Sequence, residues 1–389
     1  MTTTRALVTR GGGEPPRVVD VVLDPVGEGE VLVEISASAV CRTELLTIQA
    51  PEGSPTVLGH AGTGVVTEVG PGVTRFAPGD AVVIVGTRQC GTCFYCLNGA
   101  PGACEEIFAH MTRRLGVTPE GEVVWGDGGL GSHAERLVHR QSSLVRIEGD
   151  APREHLALLG CGIPSGVGSV RDVAGVRPGQ SVVISGCGHL GLWMVQAARL
   201  AGATTIVAVD PEPWRRERAL ALGATHVLDA SGDVVAEVKA LTHGRGADVG
   251  LEAAGTTLAM RQSFESTRYG GVVVPTGLES LTAEVTLSNL QYSLSSRTII
   301  GSQCGGGDVQ RMVPEFERLL AQGSLDAESI ITARYPFEGS AAAYPALADP
   351  EQLTGVILMP TGAPAAATTA TDATSPTSST HPTPSEETS

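Results

Sequence analysis

The segment from Ser181 to Asp210 constrains the fold more than any other part of the chain. Ser181-Val-Val-Ile-Ser185 reads as a short buried strand, and Leu190–Leu200 carries apolar residues at helical spacing. Between them lies Gly186-Cys187-Gly188-His189-Leu190-Gly191, a G-x-G-x-x-G turn. That spacing alone means little in a chain with 50 Gly. Its place after a strand and at the mouth of a helix gives it weight. There the glycines permit a tight turn, close approach of a pyrophosphate and close helix–strand packing, and the helix N-terminus faces the phosphates. A second strand, Thr204–Val209, ends at Asp210, whose carboxylate would accept hydrogen bonds from adenosine ribose hydroxyls and repel a 2′-phosphate. NAD is therefore expected in preference to NADP. Arg215 works against that preference, because a nearby Arg can receive a phosphate. The competing reading is a Gly-rich turn in some other α/β fold.

The alternation continues downstream. Trp214–Leu222, Val234–Leu241 and Leu258–Thr267 read as helices, and His226–Leu228, Asp248–Glu252 and Gly271–Pro275 as strands. Such order predicts a parallel sheet covered on both faces. Met312–Gln322 is a further helix. Upstream, the segments Val18–Leu23, Glu30–Ser36, Gly64–Val69 and Asp80–Val85 are short, rich in Val and Ile, and separated by turn residues. They predict a small barrel-like β domain. Met111–Gly131 reads as irregular and Gly-rich, and Ser132–Ile147 as a strand pair. Residues 362–389 are mostly Ala, Thr, Ser and Pro without Lys or Arg, a composition expected to stay disordered.

Composition excludes several classes. A formal net charge of −16 and a pI near 5.0 argue against a nucleic-acid partner, which needs a basic face. The apolar runs, such as Val182–Ile184 and Ile206–Val209, fall far short of the roughly 20 residues that span a bilayer. The start lacks the apolar core of a secretory signal, so the expected compartment is the cytoplasm.

Four of the 8 Cys, Cys90, Cys93, Cys96 and Cys104, lie in one short stretch. Four thiolates close a tetrahedral zinc site with no open position, which makes it structural. Two disulfides, unrelated thiols and an iron–sulfur cluster are the alternatives; the cytosolic setting disfavours disulfides. Three further residues are scattered: Cys41, His60 and Cys161. Together, two Cys and one His leave a fourth zinc position free for water or substrate.

With these residues in this order, the sequence resembles the zinc-dependent, medium-chain alcohol dehydrogenases over roughly residues 5–360. Cys41-Arg42-Thr43-Glu44, Gly59-His60 and Gly160-Cys161-Gly162 look like the three catalytic ligand segments, and Cys90–Cys104 like the structural zinc loop. The resemblance implies α/β plus β architecture: a GroES-like β-barrel catalytic domain with an inserted Rossmann domain, a doubly wound parallel sheet that binds NAD. The implied boundaries are 1–160 (zinc lobe at 86–105), 161–302 for the nucleotide domain, and 303–361 completing the catalytic domain. It also implies two Zn²⁺ per chain, a small-molecule alcohol or aldehyde substrate, and a homodimer or homotetramer. Thr43 would relay a proton, and Glu44 would orient His60. Arg42 would meet the pyrophosphate, Arg215 would lie by the adenosine, and Leu278 would join Gly186, Gly188, His189, Leu190, Gly191 and Asp210 around the cofactor.

Four positions depart from the family pattern. Ala61 stands where a Glu usually follows the ligand His, and Leu46 where a His often ends the proton relay. Leu353-Thr354-Gly355 lacks a pyrophosphate Arg. Gly86 replaces a large aromatic that usually walls the substrate pocket, which predicts a bulky substrate. The expected activity is an NAD-linked alcohol dehydrogenase or aldehyde reductase. The alternatives are a thiol-adduct formaldehyde dehydrogenase, a reductase of C=C or C=N bonds, and a non-catalytic binding protein.

Overall fold

The computed structural model describes residues 2–278, 280 and 282–360. The predicted disordered segment, 362–389, lies outside the described residues. No helix among them is long and apolar enough to cross a membrane.

The N-terminal half is β structure in two pieces. Strands Thr3–Thr9, Arg17–Leu23, Arg113–Val117, Val123–Gly126 and Thr56–Val57 close a barrel. A seven-stranded sheet packs beside it, centred on Glu30–Ala39, in which Val31, Val33, Ile35 and Ala37 recur every second residue and are all buried. This is the period that a strand with one face on the core requires.

Two expectations need correcting. Met111–Gly131 is not irregular: it contains the antiparallel pair Arg113–Val117 and Val123–Gly126, anchored by buried Leu115 and Val124. The glycine that obscured it is structural, since a Cβ on Gly116 would lie 2.1 Å from the Val22 carbonyl oxygen, beside a register shift. The two strands of Ser132–Ile147 do not pair with each other: Arg136–Arg140 pairs with Glu30–Ala39, and Leu144–Arg146 with Ala81–Ile84.

The nucleotide-type sheet is wholly parallel. Its spatial order is His226–Leu228, Thr205–Val209, Ser181–Ser185, Ala247–Glu252, Thr267–Pro275 and Thr298–Ile299. Successive strands are added outward on one side of Ser181–Ser185 and then on the other, and ligands of such sheets bind at this switch point. Helix His189–Leu200 follows that strand and buries Trp193 completely.

The chain then returns to where it began. After helix Val309–Ala321, strand Thr354–Leu358 enters the seven-stranded sheet between Ile331–Pro336 and Glu30–Ala39. One large core, which includes Trp193, Met312, Phe316 and Leu159, joins the two halves, and a second, including Leu7, Ile35, Leu137 and Phe337, fills the β part.

Candidate metal and cofactor site

Three loops bring Cys41, His60 and Cys161 together. The strand Glu30–Ala39 ends in a turn that opens helix Glu44–Gln49, leaving Cys41 half-buried and Thr43 exposed, with the Thr43 hydroxyl donating to Cys41 Sγ at 3.2 Å. Gly59 takes φ +94°, and a Cβ there would stand 2.5 Å from both His133 Nδ1 and Ser132 Oγ. Only glycine lets the next residue, His60, reach this point. Gly160 packs against the Ile84 carbonyl and Ala61, where a Cβ would lie 2.4 and 2.8 Å away. The ligand atoms of Cys41, His60 and Cys161 all lie within 4.8 Å of one another.

A buried polar network stands behind them. Glu44 is wholly buried; its Oε1 lies 3.4 Å from His60 Nδ1 and its Oε2 3.2 Å from His133 Nε2. Tyr344 donates to Oε2 at 2.7 Å. Burial, and then the Glu44 charge, pushes the Tyr344 phenol well above its usual range, so it remains a donor. Asp127 Oδ2 lies 3.8 Å from His60 Nδ1 and accepts on Oδ1 from Thr47 at 2.7 Å. With His60 Nδ1 facing two carboxylates, Nε2 is the nitrogen left for a metal, an outer-shell arrangement typical of ligating His. Hydrogen bonding from Cys161 holds the Cys41 thiol well below its usual range against the effect of burial, with help from His60. Cys161 is pushed up by the same bond.

Sequence reasoning placed Glu44 here but missed Asp127, His133 and Tyr344. No local pattern marks them, because the Tyr344 contact crosses 300 residues and the His133 contact 89.

The donor sets fit zinc. Tetrahedral Zn–S bonds of about 2.3 Å imply S···S edges of about 3.8 Å. In the lobe, Cys104 Sγ is 3.6 Å from Cys90 Sγ and 3.9 Å from Cys93 Sγ, and all four sulfurs lie within 4.8 Å of one another. A disulfide would need about 2.05 Å, and every cysteine is free. Burial pushes Cys90 up, but the backbone N–H groups of Thr92 and Cys93 outweigh it and hold the thiol at about 6.

The glycine turn fits a dinucleotide. Gly186 has φ +98°, a Cβ on Gly191 would strike the Gly186 oxygen at 1.7 Å, and nothing lies within 4 Å of the Cβ position of Gly188. The open face at Gly188 is a cradle at a helix N-terminus. Asp210 accepts from the Cys187 N–H at 2.7 Å and the Glu212 N–H at 2.9 Å, which fixes its carboxylate at the strand end. Leu278 lies half-exposed, its backbone against Gly255, and Arg42 is exposed next to Thr43. The Arg215 guanidinium donates to the Pro350 carbonyl at 2.7 and 3.1 Å. Arg216 instead donates to the Asp210 carbonyl at 2.6 Å.

Comparison with known proteins places this geometry among relatives. Residues 27–149 match the alcohol dehydrogenase GroES-like domain, and residues 190–321 the zinc-binding dehydrogenase domain. The NDMA-dependent alcohol dehydrogenase of Amycolatopsis methanolica is 36% identical over 371 residues, covering 91% of this chain and 98% of the relative. An S-(hydroxymethyl)glutathione dehydrogenase of Escherichia coli is 33% identical over 347 residues, covering 85% and 92%. The crystal structure of benzyl alcohol dehydrogenase from Acinetobacter calcoaceticus superposes with a TM-score of 0.85 at 30% identity, covering 92% of this chain and all of that one.

Proposed function

The chain belongs to the zinc-dependent medium-chain alcohol dehydrogenase family, and from that premise we propose that it interconverts a bulky alcohol and its carbonyl product with NAD(H) as hydride carrier. The observation that carries this reading is the convergence of Cys41, His60 and Cys161 next to an open glycine cradle. A zinc ion held by these three residues supplies a Lewis acid to the substrate oxygen.

The chain's own groups do the rest. The Glu44 carboxylate, with Oε1 3.4 Å from His60 Nδ1, would favour a proton on that nitrogen and leave Nε2 for the metal. His133 and Tyr344 hold the other Glu44 oxygen. The Thr43 hydroxyl, beside Cys41 Sγ, would relay the proton of the substrate hydroxyl, accepting it while giving up its own toward the cofactor ribose. Leu46 cannot pass that proton on, so it leaves by a route other than a His at that position. Asp210 at the adenosine end favours NAD over NADP. The lobe cysteines hold a second, structural zinc.

Gly86 supports a large substrate. It borders the metal residues, since a Cβ there would lie 3.4 Å from His60 Cδ2. A hydroxymethyl thioether adduct is the second reading, favoured by the E. coli relative and by the same open wall. A homodimer or homotetramer is supported by exposed apolar side chains near the edge strand Thr298–Ile299, among them Tyr269, Tyr292 and Leu294.

Metal analysis with an alcohol and cofactor panel tests the scheme. About two zinc per chain and NAD-linked turnover of benzyl-sized alcohols are expected. One zinc, retained when Cys41 is replaced, would remove the catalytic role of the trio.

A further inference from the structure

Arg88 is a buried arginine, only 2% exposed, on the segment that runs between the two metal regions. Cys90, the first lobe cysteine, lies two residues after it. Gly86, which borders His60, lies two residues before it, and the Gly86 N–H donates at 2.9 Å to the carbonyl of Gly160, the residue next to Cys161. The Arg88 guanidinium donates to three backbone carbonyls: Nε to Glu106 at 3.1 Å, Nη2 to Ile107 at 3.0 Å and Nη1 to Gly128 at 2.9 Å.

Those carbonyls come from two separate places. Glu106 and Ile107 belong to the short helix Glu105–Ala109, which follows Cys104 at the base of the lobe. Gly128 belongs to the turn Asp127–Gly129. That turn is shaped for the contact. Gly128 and Gly129 take φ +55° and +73°, and a Cβ on Gly129 would lie 1.7 Å from the His110 carbonyl oxygen and 3.0 Å from Arg88 Nη1. Glycine at 129 therefore lets the turn close down on the guanidinium. The residue before Gly128 is Asp127, whose Oδ2 faces His60 Nδ1 at 3.8 Å while its Oδ1 accepts from Thr47 at 2.7 Å.

A planar guanidinium carries its donors in fixed directions, so it can hold two segments in one relative position. A buried carbonyl that loses its donor is costly, and the turn would shift to find another. We propose that Arg88 is a positioning residue: by fastening the Gly128 carbonyl to the base of the lobe, it fixes the Asp127 carboxylate beside His60. It acts on the metal residues through Asp127. This rests on the reading of Cys41, His60 and Cys161 as a metal set and adds the device that places an outer partner of that set.

Release of Co²⁺ from Cys41, His60 and Cys161 into a chelator, with zinc kept in the lobe, tests the role without reference to turnover. Cobalt bound by thiolates absorbs visible light, so loss of that absorption follows this ion alone. Arg88→Met is expected to speed release about tenfold, the scale of losing an outer partner of a metal ligand. In the Asp127→Asn protein the same change is expected to speed release by no more than about twofold, because the carboxylate through which Arg88 acts is already altered. Equal acceleration in both backgrounds would make Arg88 a general prop of the fold and overturn the proposal. Asp127→Asn protein that releases Co²⁺ at the wild-type rate would also overturn it, a result that needs no Arg88 variant to fold. Wild-type protein that takes up metal in the lobe alone would overturn the metal reading together with the proposal, an outcome that elemental analysis separates from the other two.

Discussion

Tyr344 donates its phenolic O–H to Glu44 at 2.7 Å, tying the C-terminal part of the chain to the carboxylate behind His60. Both residues are buried, so no water replaces the bond when it is lost. Tyr344→Phe removes a donor to a charged acceptor, a change worth roughly 1.5–3 kcal/mol. Chemical denaturation should show that loss, and a chelator should strip the catalytic metal faster than from wild type. Unchanged stability and unchanged stripping would show that the bond does not matter.

The lobe responds separately. Cys93→Ser breaks the four-sulfur set while leaving Cys41, His60 and Cys161 untouched. The expected result is loss of one zinc per chain by elemental analysis, a lower melting temperature, and retention of the second metal. Retention of both metals would place the structural ion elsewhere.

Asp210→Asn keeps an acceptor for the Cys187 N–H but removes the charge that faces a 2′-phosphate. Arg216 is the cation beside it. The ratio of kcat/KM for NAD over NADP should fall about tenfold, the scale of one charged contact. An unaltered ratio would mean that Asp210 does not select the cofactor.

Gly86→Trp fills the wall beside His60. A Cβ there makes only ordinary contacts, at 3.4 Å and beyond, so the substitution starts from an unstrained backbone. kcat/KM for benzyl-sized alcohols should drop by about tenfold or more relative to ethanol, the range that pocket shape commands. Equal losses along the alcohol series would show that Gly86 does not line the pocket.

His139 makes the fold acid-sensitive. Its ring is fully buried with neither nitrogen bonded, and burial, then Arg113 and Arg88, push it down to about 3. The unfolded chain takes up this proton near pH 6.5, whereas the folded chain does so only near 3. Stability therefore falls as pH drops below about 6.5, at up to about 1.4 kcal/mol per unit, until the folded ring titrates. Between pH 7 and 5, wild type should lose about 2 kcal/mol more than His139→Leu, read from urea midpoints. Parallel losses would assign the acid sensitivity to other groups.

The order of elements was legible where periodicity is local. Val31, Val33 and Ile35 alternate, and the turn at Gly186–Gly191 sits between a strand and a helix, so both could be read without neighbours. Arg113–Val117 could not, because Gly116 looks like a breaker until the Val22 carbonyl opposite it is seen. The residue types suited to metal binding stood out by chemistry. His133, Asp127 and Tyr344 did not, because a buried partner is defined by what it meets and they meet Glu44 or His60 only after folding. The Arg215 contact with the Pro350 carbonyl was equally out of view, since it joins residues 135 apart.

The late return of the chain sets an order in time. Strand Thr354–Leu358 lies beside Glu30–Ala39, whose end carries Cys41, and Tyr344 comes just before it. A ribosome releases the first of these strands long before the last. The inserted parallel sheet has all its strands by Ile299 and can close on its own. The N-terminal sheet has to wait with the backbone groups of Ala37–Ala39 unpaired on one side, the rest of that strand being held already by Gly62–Val69 and Arg136–Arg140. A nascent chain halted before Thr354 would therefore carry a finished nucleotide domain and an open sheet edge, a species prone to aggregation.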